Sequence, residues 1–291
     1  MFKWARGEPT NPRMQFRCPA GHKKKVMDFE TIRKIGEGGE GEVWLMRSVA
    51  DNSLVVRKVL RNWKKDGDRP YEAKILNDIL PEHPNILSLY YYSVRPEEHK
   101  LHMYYEYCSG GSLESLIFEG RPGSLPESFI WHVFIQLAEA LEVLHYRGTQ
   151  RVVHRDVKPD NIFLGIPYSS KQTKNSYPSL RLGDFGLATL SSVTSGAGTW
   201  MWMGPEAPET SAKGDIWSLG ATIHALAHGE GPIDMSVYHW EQDPRARRPQ
   251  KLPSKYSSQL NKSMMRCLQR DPKDRVSSQD LVKKLKRDRS D

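Results

Sequence analysis

His154-Arg155-Asp156-Val157-Lys158-Pro159-Asp160-Asn161 is the stretch on which the reading of this 291-residue chain turns. It sets an acid, a lysine and an amide close together. Asp184-Phe185-Gly186 follows after a loop, and Gly36-Glu37-Gly38-Gly39-Glu40-Gly41-Glu42-Val43 lies far upstream. A lone glycine pattern or a lone His-Arg-Asp arises by chance. The order and spacing of all three are jointly improbable unless they serve phosphoryl transfer. A polyphosphate must be held without bulky side chains in the way, and glycines let backbone N–H groups approach it closely. Gly36, Gly38 and Gly41 stand at G-x-G-x-x-G spacing, which a dinucleotide fold would place before a helix. Here Val43-Trp44-Leu45-Met46 follows, a strand pattern that favours a hairpin lid. Glu37, Glu40 and Glu42 are unexpected beside phosphates and must point outward, or they would weaken binding.

Outward from these motifs the chain divides by periodicity. Strand-like runs at 43–46, 54–60 and 101–105, with a helical segment near 71–80, describe a small, mostly antiparallel sheet with one helix. In the run 54–60 the side chains alternate, so Val56 and Lys58 share one face while Val55, Arg57 and Val59 share the other. After Cys108-Ser109-Gly110-Gly111 the pattern turns helical. Ile130, Val133, Phe134, Leu137, Ala138 and Leu141 form an i, i+3, i+4, i+7 stripe, with Ser124 and Glu127 at capping-box spacing ahead of it. The expected fold class is α+β in two lobes: a small β-rich N-lobe with one main helix (28–107) and a larger helical C-lobe (108–291), after an N-terminal extension (1–27). The lobes meet at about Glu106 to Gly111, where a ligand crevice is expected. Residues at about 165–180 are polar turn formers and read as an inserted surface loop that suits regulation or simple tolerance of extra length.

On these motifs the chain resembles the eukaryotic protein kinases from about Phe29 to about Leu285. The resemblance implies MgATP as phosphoryl donor and proteins as acceptors. It makes Asp156 the base that takes or orients the hydroxyl proton, Lys158 the neutraliser of the γ-phosphate, and Asn161 and Asp184 the Mg2+ ligands. It pairs Lys58 with Glu72 against the α and β phosphates, with Asp78 as the alternative acid. It assigns adenine hydrogen bonds to Glu106 and Cys108, apolar nucleotide contacts to Val43, Val56 and Phe163, and the position closing the pocket behind the base to Tyr105. A lysine at 158 resembles Ser/Thr kinases. Glu106-Tyr107-Cys108-Ser109-Gly110-Gly111-Ser112-Leu113 and Leu182-Gly183-Asp184-Phe185-Gly186-Leu187-Ala188 are similar to NimA-related kinases.

Gly204-Pro205-Glu206 stands where the family has Ala-Pro-Glu, although Ala207-Pro208-Glu209 follows at once. The first register keeps Gly198-Thr199 at the family spacing and implies a Glu206–Arg275 ion pair, with Asp215 bracing the catalytic loop. Arg155 implies control by activation-segment phosphorylation, with Ser191, Ser192, Thr194 and Ser195 as candidates. Thr199 is expected to contact the catalytic loop. Ser112 sits where basic-directed members place an acid, and Trp200 and Trp202 give an apolar platform, so weak selection for arginine-rich substrates is expected. The rival function is a pseudokinase or scaffold that binds nucleotide or partners without turnover; a small-molecule kinase fits the 204–206, Asp215 and Arg275 framework poorly.

Composition bounds the rest. Hydrophobic residues make up 38% of the chain, enough for buried cores. Three cysteines are too few for a disulfide framework, and no secretory leader is apparent, so a cytoplasmic or nuclear location is expected. No run approaches the roughly 18 apolar residues of a membrane span. The net charge of +8 sits largely at the ends without interleaved aromatics, so solvated charge is favoured over a nucleic-acid site. Cys18 and His22 fall short of a four-ligand zinc site. Oligomeric state leaves no mark on the sequence.

Overall fold

The computed structural model describes residues 14–15, 26–38, 41–61, 70–118, 125–190, 193–194, 197–230 and 249–289. It comprises two compact units, Met1–Ala73 with Ser88–Tyr107, and Lys74–Leu87 with Cys108–Asp291. Cys18, His22, Glu40, Ser191, Ser192 and Ser195 lie outside the described residues.

The first unit is built on a five-stranded antiparallel sheet. Its strands are β1 (Phe29–Gly38), β2 (Gly41–Ser48), β3 (Leu54–Leu60), β4 (Leu89–Arg95) and β5 (Lys100–Glu106), in the order β1-β2-β3-β5-β4. The sequence shows β2, β3 and β5 because Val, Leu, Met and aromatic side chains recur there on a half-buried surface. β1 and β4 escape a periodicity search. β1 is an edge strand exposed along most of its length, so its residues need not alternate, and β4 has Tyr90, Tyr91 and Tyr92 in succession.

Register assigns the faces, because directly opposed residues project the same way. Val43 opposes Lys58, Leu45 opposes Val56, Lys58 opposes Met103 and Val56 opposes Tyr105. Val43, Leu45, Val56, Lys58, Met103 and Tyr105 therefore share one face. The other face carries Met46, Val55 and Tyr104, which join Phe29 in a small buried cluster with Trp44 and Tyr91 against it. The helical stretch after β3 is a single α turn, α1 (Tyr71–Lys74), continued by a π turn over Ile75–Ile79.

The second unit contains α2 (Glu114–Phe118), α3 (Glu127–Glu142), the antiparallel pair β6 (Ile162–Leu164) and β7 (Leu180–Leu182), then α4 (Ala212–His228), α5 (Ser258–Cys267) and α6 (Ser278–Asp288). The predicted stripe Ile130, Val133, Phe134, Leu137, Ala138 and Leu141 is fully buried in its core. The start of α3 differs from expectation. Its N-cap is Pro126, with no side-chain cap, and Glu127 instead accepts from Trp131 Nε1 at 3.0 Å and the Ser257 N–H at 2.8 Å. Ser124 lies outside the described residues.

The segment between β6 and β7 is anchored at both ends. Tyr168 and Tyr177 pack on Phe129 of α3, with ring centroids 4.4 and 5.1 Å away. The Tyr177 hydroxyl bonds Ser128 Oγ at 2.7 Å, and the Pro178 carbonyl accepts from His132 at 2.9 Å. Between the two tyrosines, Ser169, Ser170, Lys171, Thr173, Lys174, Asn175 and Ser176 are exposed.

Candidate active site

In the first unit, the glycines Gly36 and Gly38 lie at the end of β1 and Gly41 opens β2. A β-carbon on Gly41 would collide with the Val59 carbonyl, so the closeness of β2 to β3 demands glycine there. Gly36 would meet only ordinary contact with Val43, and Gly38 would meet nothing within 4 Å. At those two positions no steric demand of the fold calls for glycine; open space suits the approach of a ligand.

Two acidic residues of this stretch, Glu37 and Glu42, are matched by bases. Lys34 Nζ bonds Glu37 at 2.6 Å and Glu42 at 3.1 Å, while Arg61 bonds the same two carboxylates at 3.1 and 2.5 Å. Trp44 Nε1 donates to the second oxygen of Glu42 at 3.2 Å. Hydrogen bonds from Lys34 and then Arg61 pull the Glu42 carboxyl down to about 2. Glu37 is lowered by the same two partners. Glu37 and Glu42 are thus neutralised locally, which sequence reading missed because Arg61 is distant in sequence and is brought near only by the β2–β3 pairing.

On the Lys58 face, Tyr105 is buried and its hydroxyl donates to Glu72 Oε1 at 2.8 Å, with Met103 Sδ at 3.4 Å. Glu72 itself is only 6% exposed. Glu106 is held at the end of β5 by its N–H on the Ser88 carbonyl at 3.1 Å, and its carboxylate accepts the Ser88 N–H at 2.8 Å.

In the second unit, the loop 154–161 is fixed from three sides. Asp215, in the first turn of α4, accepts the His154 N–H at 2.8 Å, the Arg155 N–H at 2.9 Å and His145 Nε2 at 3.0 Å. His154 is fully buried, and burial pushes its pKa down, so the neutral ring donates from Nε2 to the Gly183 carbonyl at 3.1 Å while Nδ1 accepts the Asp156 N–H at 3.3 Å. Phe185 stands edge-on to that ring at 4.8 Å. Arg155 and Asp184 both adopt positive φ, 72° and 59°, a costly geometry for side-chain-bearing residues that the surrounding bonds enforce.

Asp156, Lys158 and Thr199 close a triangle. Lys158 Nζ lies 2.9 Å from Asp156 Oδ2 and 2.8 Å from Thr199 Oγ1, and the Thr199 hydroxyl donates to Asp156 Oδ1 at 2.8 Å. Asn161 Nδ2 donates to the Asp156 carbonyl and to Oδ2, both at 2.9 Å. Phe163, in β6, bridges to Ser112, and Cys108 is half-buried with its carbonyl accepting the Gly111 N–H at 3.4 Å. An acid also lies near this loop. The Glu114 carboxyl is raised, first by burial and then by the neighbouring Asp160, a pair that reading of Ser112 alone did not reveal.

Comparison with known sequences decides the family. Residues 29–285 match the protein kinase domain. The chain belongs to the protein kinase family. It is 31% identical to the G2-specific protein kinase nim-1 of Neurospora crassa over 87% of this chain and 32% of that protein. It is 30% identical to mouse serine/threonine-protein kinase Nek2 over 89% of this chain and 59% of that protein, and 31% identical to CBL-interacting serine/threonine-protein kinase 7 of Arabidopsis thaliana, over 91% and 62%. The chain thus spans about a third to three fifths of the length of these curated relatives.

Within this kinase domain the framework residues settle the 204–206 register. Arg275, 2% exposed, grips both oxygens of Glu206 at 2.6 Å. Its remaining N–H groups donate to the carbonyls of Gln269 at 2.7 Å, Lys213 at 3.0 Å and Arg270 at 3.1 Å, and it lies 4.8 Å over the Trp217 ring. All five guanidinium donors are used. Gly204, where the family has alanine, has a local cause, since a β-carbon there would run into the Glu206 carboxylate. The donor set for a metal is of the right kind. Asn161 directs its amide nitrogen to Asp156, leaving the amide oxygen as its acceptor end, and with the Asp184 carboxylate it offers hard oxygen ligands of the sort Mg2+ takes beside phosphates and water. No helix among the described residues is long and apolar enough to cross a membrane.

Proposed function

We propose that this kinase domain transfers the γ-phosphate of ATP to serine or threonine hydroxyls of proteins, with Asp156 as the base. The observation that carries this reading is the Asp156–Lys158–Thr199 triangle, in which the carboxylate is aimed by a hydroxyl and a cation of the same loop system. Asp156 receives or orients the proton of the acceptor hydroxyl, and Lys158 offsets charge on the transferring phosphoryl group. In the first unit, Gly36, Gly38 and Gly41 give the phosphates access to backbone N–H groups, Val43, Val56 and Tyr105 form the apolar nucleotide surface, Glu106 supplies its carbonyl to adenine, and Lys58 with Glu72 positions the phosphates. In the second unit, Cys108 and Phe163 contact the base. Asn161 and Asp184 would hold Mg2+, which when bound neutralises the phosphates. Retention of Lys58, Glu72, Asp156, Asn161 and Asp184 together goes against a scaffold without turnover.

With Ser112 rather than an acid at its position, selection for arginine-rich substrates is weak. The substrate proteins act in the cytoplasm or nucleus, and Arg155 serves regulation by phosphorylation. At present Arg155 Nη1 donates to the Leu187 carbonyl at 3.1 Å. Among the candidates, Thr194 lies in a two-residue ladder opposite Glu209, and Ser191, Ser192 and Ser195 lie outside the described residues. Incubating the protein with γ-labelled ATP, Mg2+ and a generic basic protein, followed by phosphoamino-acid analysis, tests the reading. Label on serine or threonine supports it; label on tyrosine alone, or on small acceptors only, would overturn it.

A further inference from the structure

Tyr105 does more than fill the space behind a nucleotide base. It lies in β5, directly opposite Val56 and two residues beyond Met103, which opposes Lys58. Its ring therefore projects from the same face as the Lys58 ammonium. The side chain is 4% exposed, and its hydroxyl donates to Glu72 Oε1 at 2.8 Å inside a buried setting. A phenol that donates to an ionised carboxylate makes a charge-assisted bond, stronger and more directional than one between neutral groups. A carboxylate offers about four acceptor sites, so this bond leaves capacity on Glu72 for an ammonium.

We infer that Tyr105 is a positioning residue for phosphoryl transfer: its hydroxyl fixes the rotamer of Glu72 and, through Glu72, the placement of Lys58 against the phosphates. The inference rests on the kinase reading above and deepens it. A phenylalanine, methionine or threonine would close the same space, but none has a phenolic hydroxyl at the reach needed to bond Glu72. The bond also ties Glu72, in α1, to the central part of the sheet.

The alternative is that the hydroxyl is merely a buried polar tip that found a partner. The two differ in what they disturb. A packing role acts on stability and nucleotide affinity. Positioning through Glu72 acts on the chemical step and disappears when Glu72 is gone.

The experiment compares wild type, Tyr105→Phe, Glu72→Ala and the double variant for transfer of γ-labelled phosphate, separating kcat from KM for ATP, with Tyr105→Leu as a packing control and Asp156→Asn as the inactive reference. Tyr105→Phe should lower kcat by about tenfold, the size expected for loss of a hydrogen bond to a charged group, with little change in KM or Tm. In the Glu72→Ala background the same change should cost less than about twofold, because the partner is already absent. Unchanged kcat in Tyr105→Phe, losses that multiply in the double variant, or a Tm lowered as far as in Tyr105→Leu with kcat intact would each overturn the inference while leaving the kinase reading standing. Wild-type transfer no greater than that of Asp156→Asn would instead remove the kinase reading, and this inference with it.

Discussion

Thr199 touches both working groups of the catalytic loop, since its hydroxyl donates to Asp156 and accepts from Lys158. Thr199→Val should therefore lower kcat by about ten- to a hundredfold, with Thr199→Ser restoring most of it, because the hydroxyl rather than the methyl holds the geometry. Steady-state kinetics on the two variants checks this, and equal activity of Val and Ser at 199 would contradict it. Arg275 acts on stability. Removing one partner of its buried, bidentate pair with Glu206 strands the other, and Arg275→Met should cost roughly 3–5 kcal/mol in denaturant unfolding; a loss below about 1 kcal/mol, the range of exposed pairs, would show the pair to be peripheral. These two contacts were legible in the sequence, because Gly198-Thr199, Glu206, Asp215 and Arg275 sit at fixed places in motifs. The bases that match Glu37 and Glu42, the Tyr105–Glu72 bond and the Glu114–Asp160 pair were not, because each depends on which strand or loop lies opposite, and no local pattern encodes that.

The glycine-rich hairpin shows the same limit at the level of the element. Its glycines read as a phosphate lid, while the charge of Glu37 and Glu42 is offset by the Lys34–Glu37–Arg61–Glu42 network. Arg61→Ala should raise KM for ATP by about three- to tenfold through uncompensated negative charge, and added salt should shrink the difference from wild type. An unchanged KM would mean that the acids lie too far from the phosphates to be felt. α4 carries a second signature. His224 is 1% exposed and stacks on His228 at 4.1 Å, and neither of its ring nitrogens has a hydrogen-bond partner among the described residues. Burial, then the neighbouring His228, pushes its pKa down to about 4 from the ordinary 6.5. The unfolded chain binds the proton first, so this histidine's share of stability is full above pH 6.5 and is lost as pH falls toward 4. Stability measured across that window should fall by on the order of 3 kcal/mol more in wild type than in His224→Leu; parallel curves would contradict the assignment. The segment 165–180, legible only as an insertion, is pinned by Tyr168 and Tyr177 on Phe129. The aromatic contacts escaped notice because tyrosines in a polar run read as surface residues. β1 and β4 escaped it because an exposed edge and a run of three tyrosines break alternation.

At the scale of the molecule, the α+β division was visible from the change in periodicity after Cys108, and the structure carries it as a five-stranded sheet unit and a mainly helical unit. What periodicity does not encode is which unit a short helical stretch joins, so residues 74–87 group with the helical unit although they precede β4 and β5 in the chain. The proposed role of Asp156 is that of base in phosphoryl transfer. Its most direct test is transfer of label from γ-labelled MgATP to the protein itself and to a generic substrate, in wild type and in Asp156→Asn, with MgATP binding measured in parallel. Wild type should transfer label to serine or threonine, and the variant, still binding MgATP, should lose it by at least about a hundredfold. Equal transfer by the two proteins, or wild-type binding of MgATP with no transfer, would contradict it.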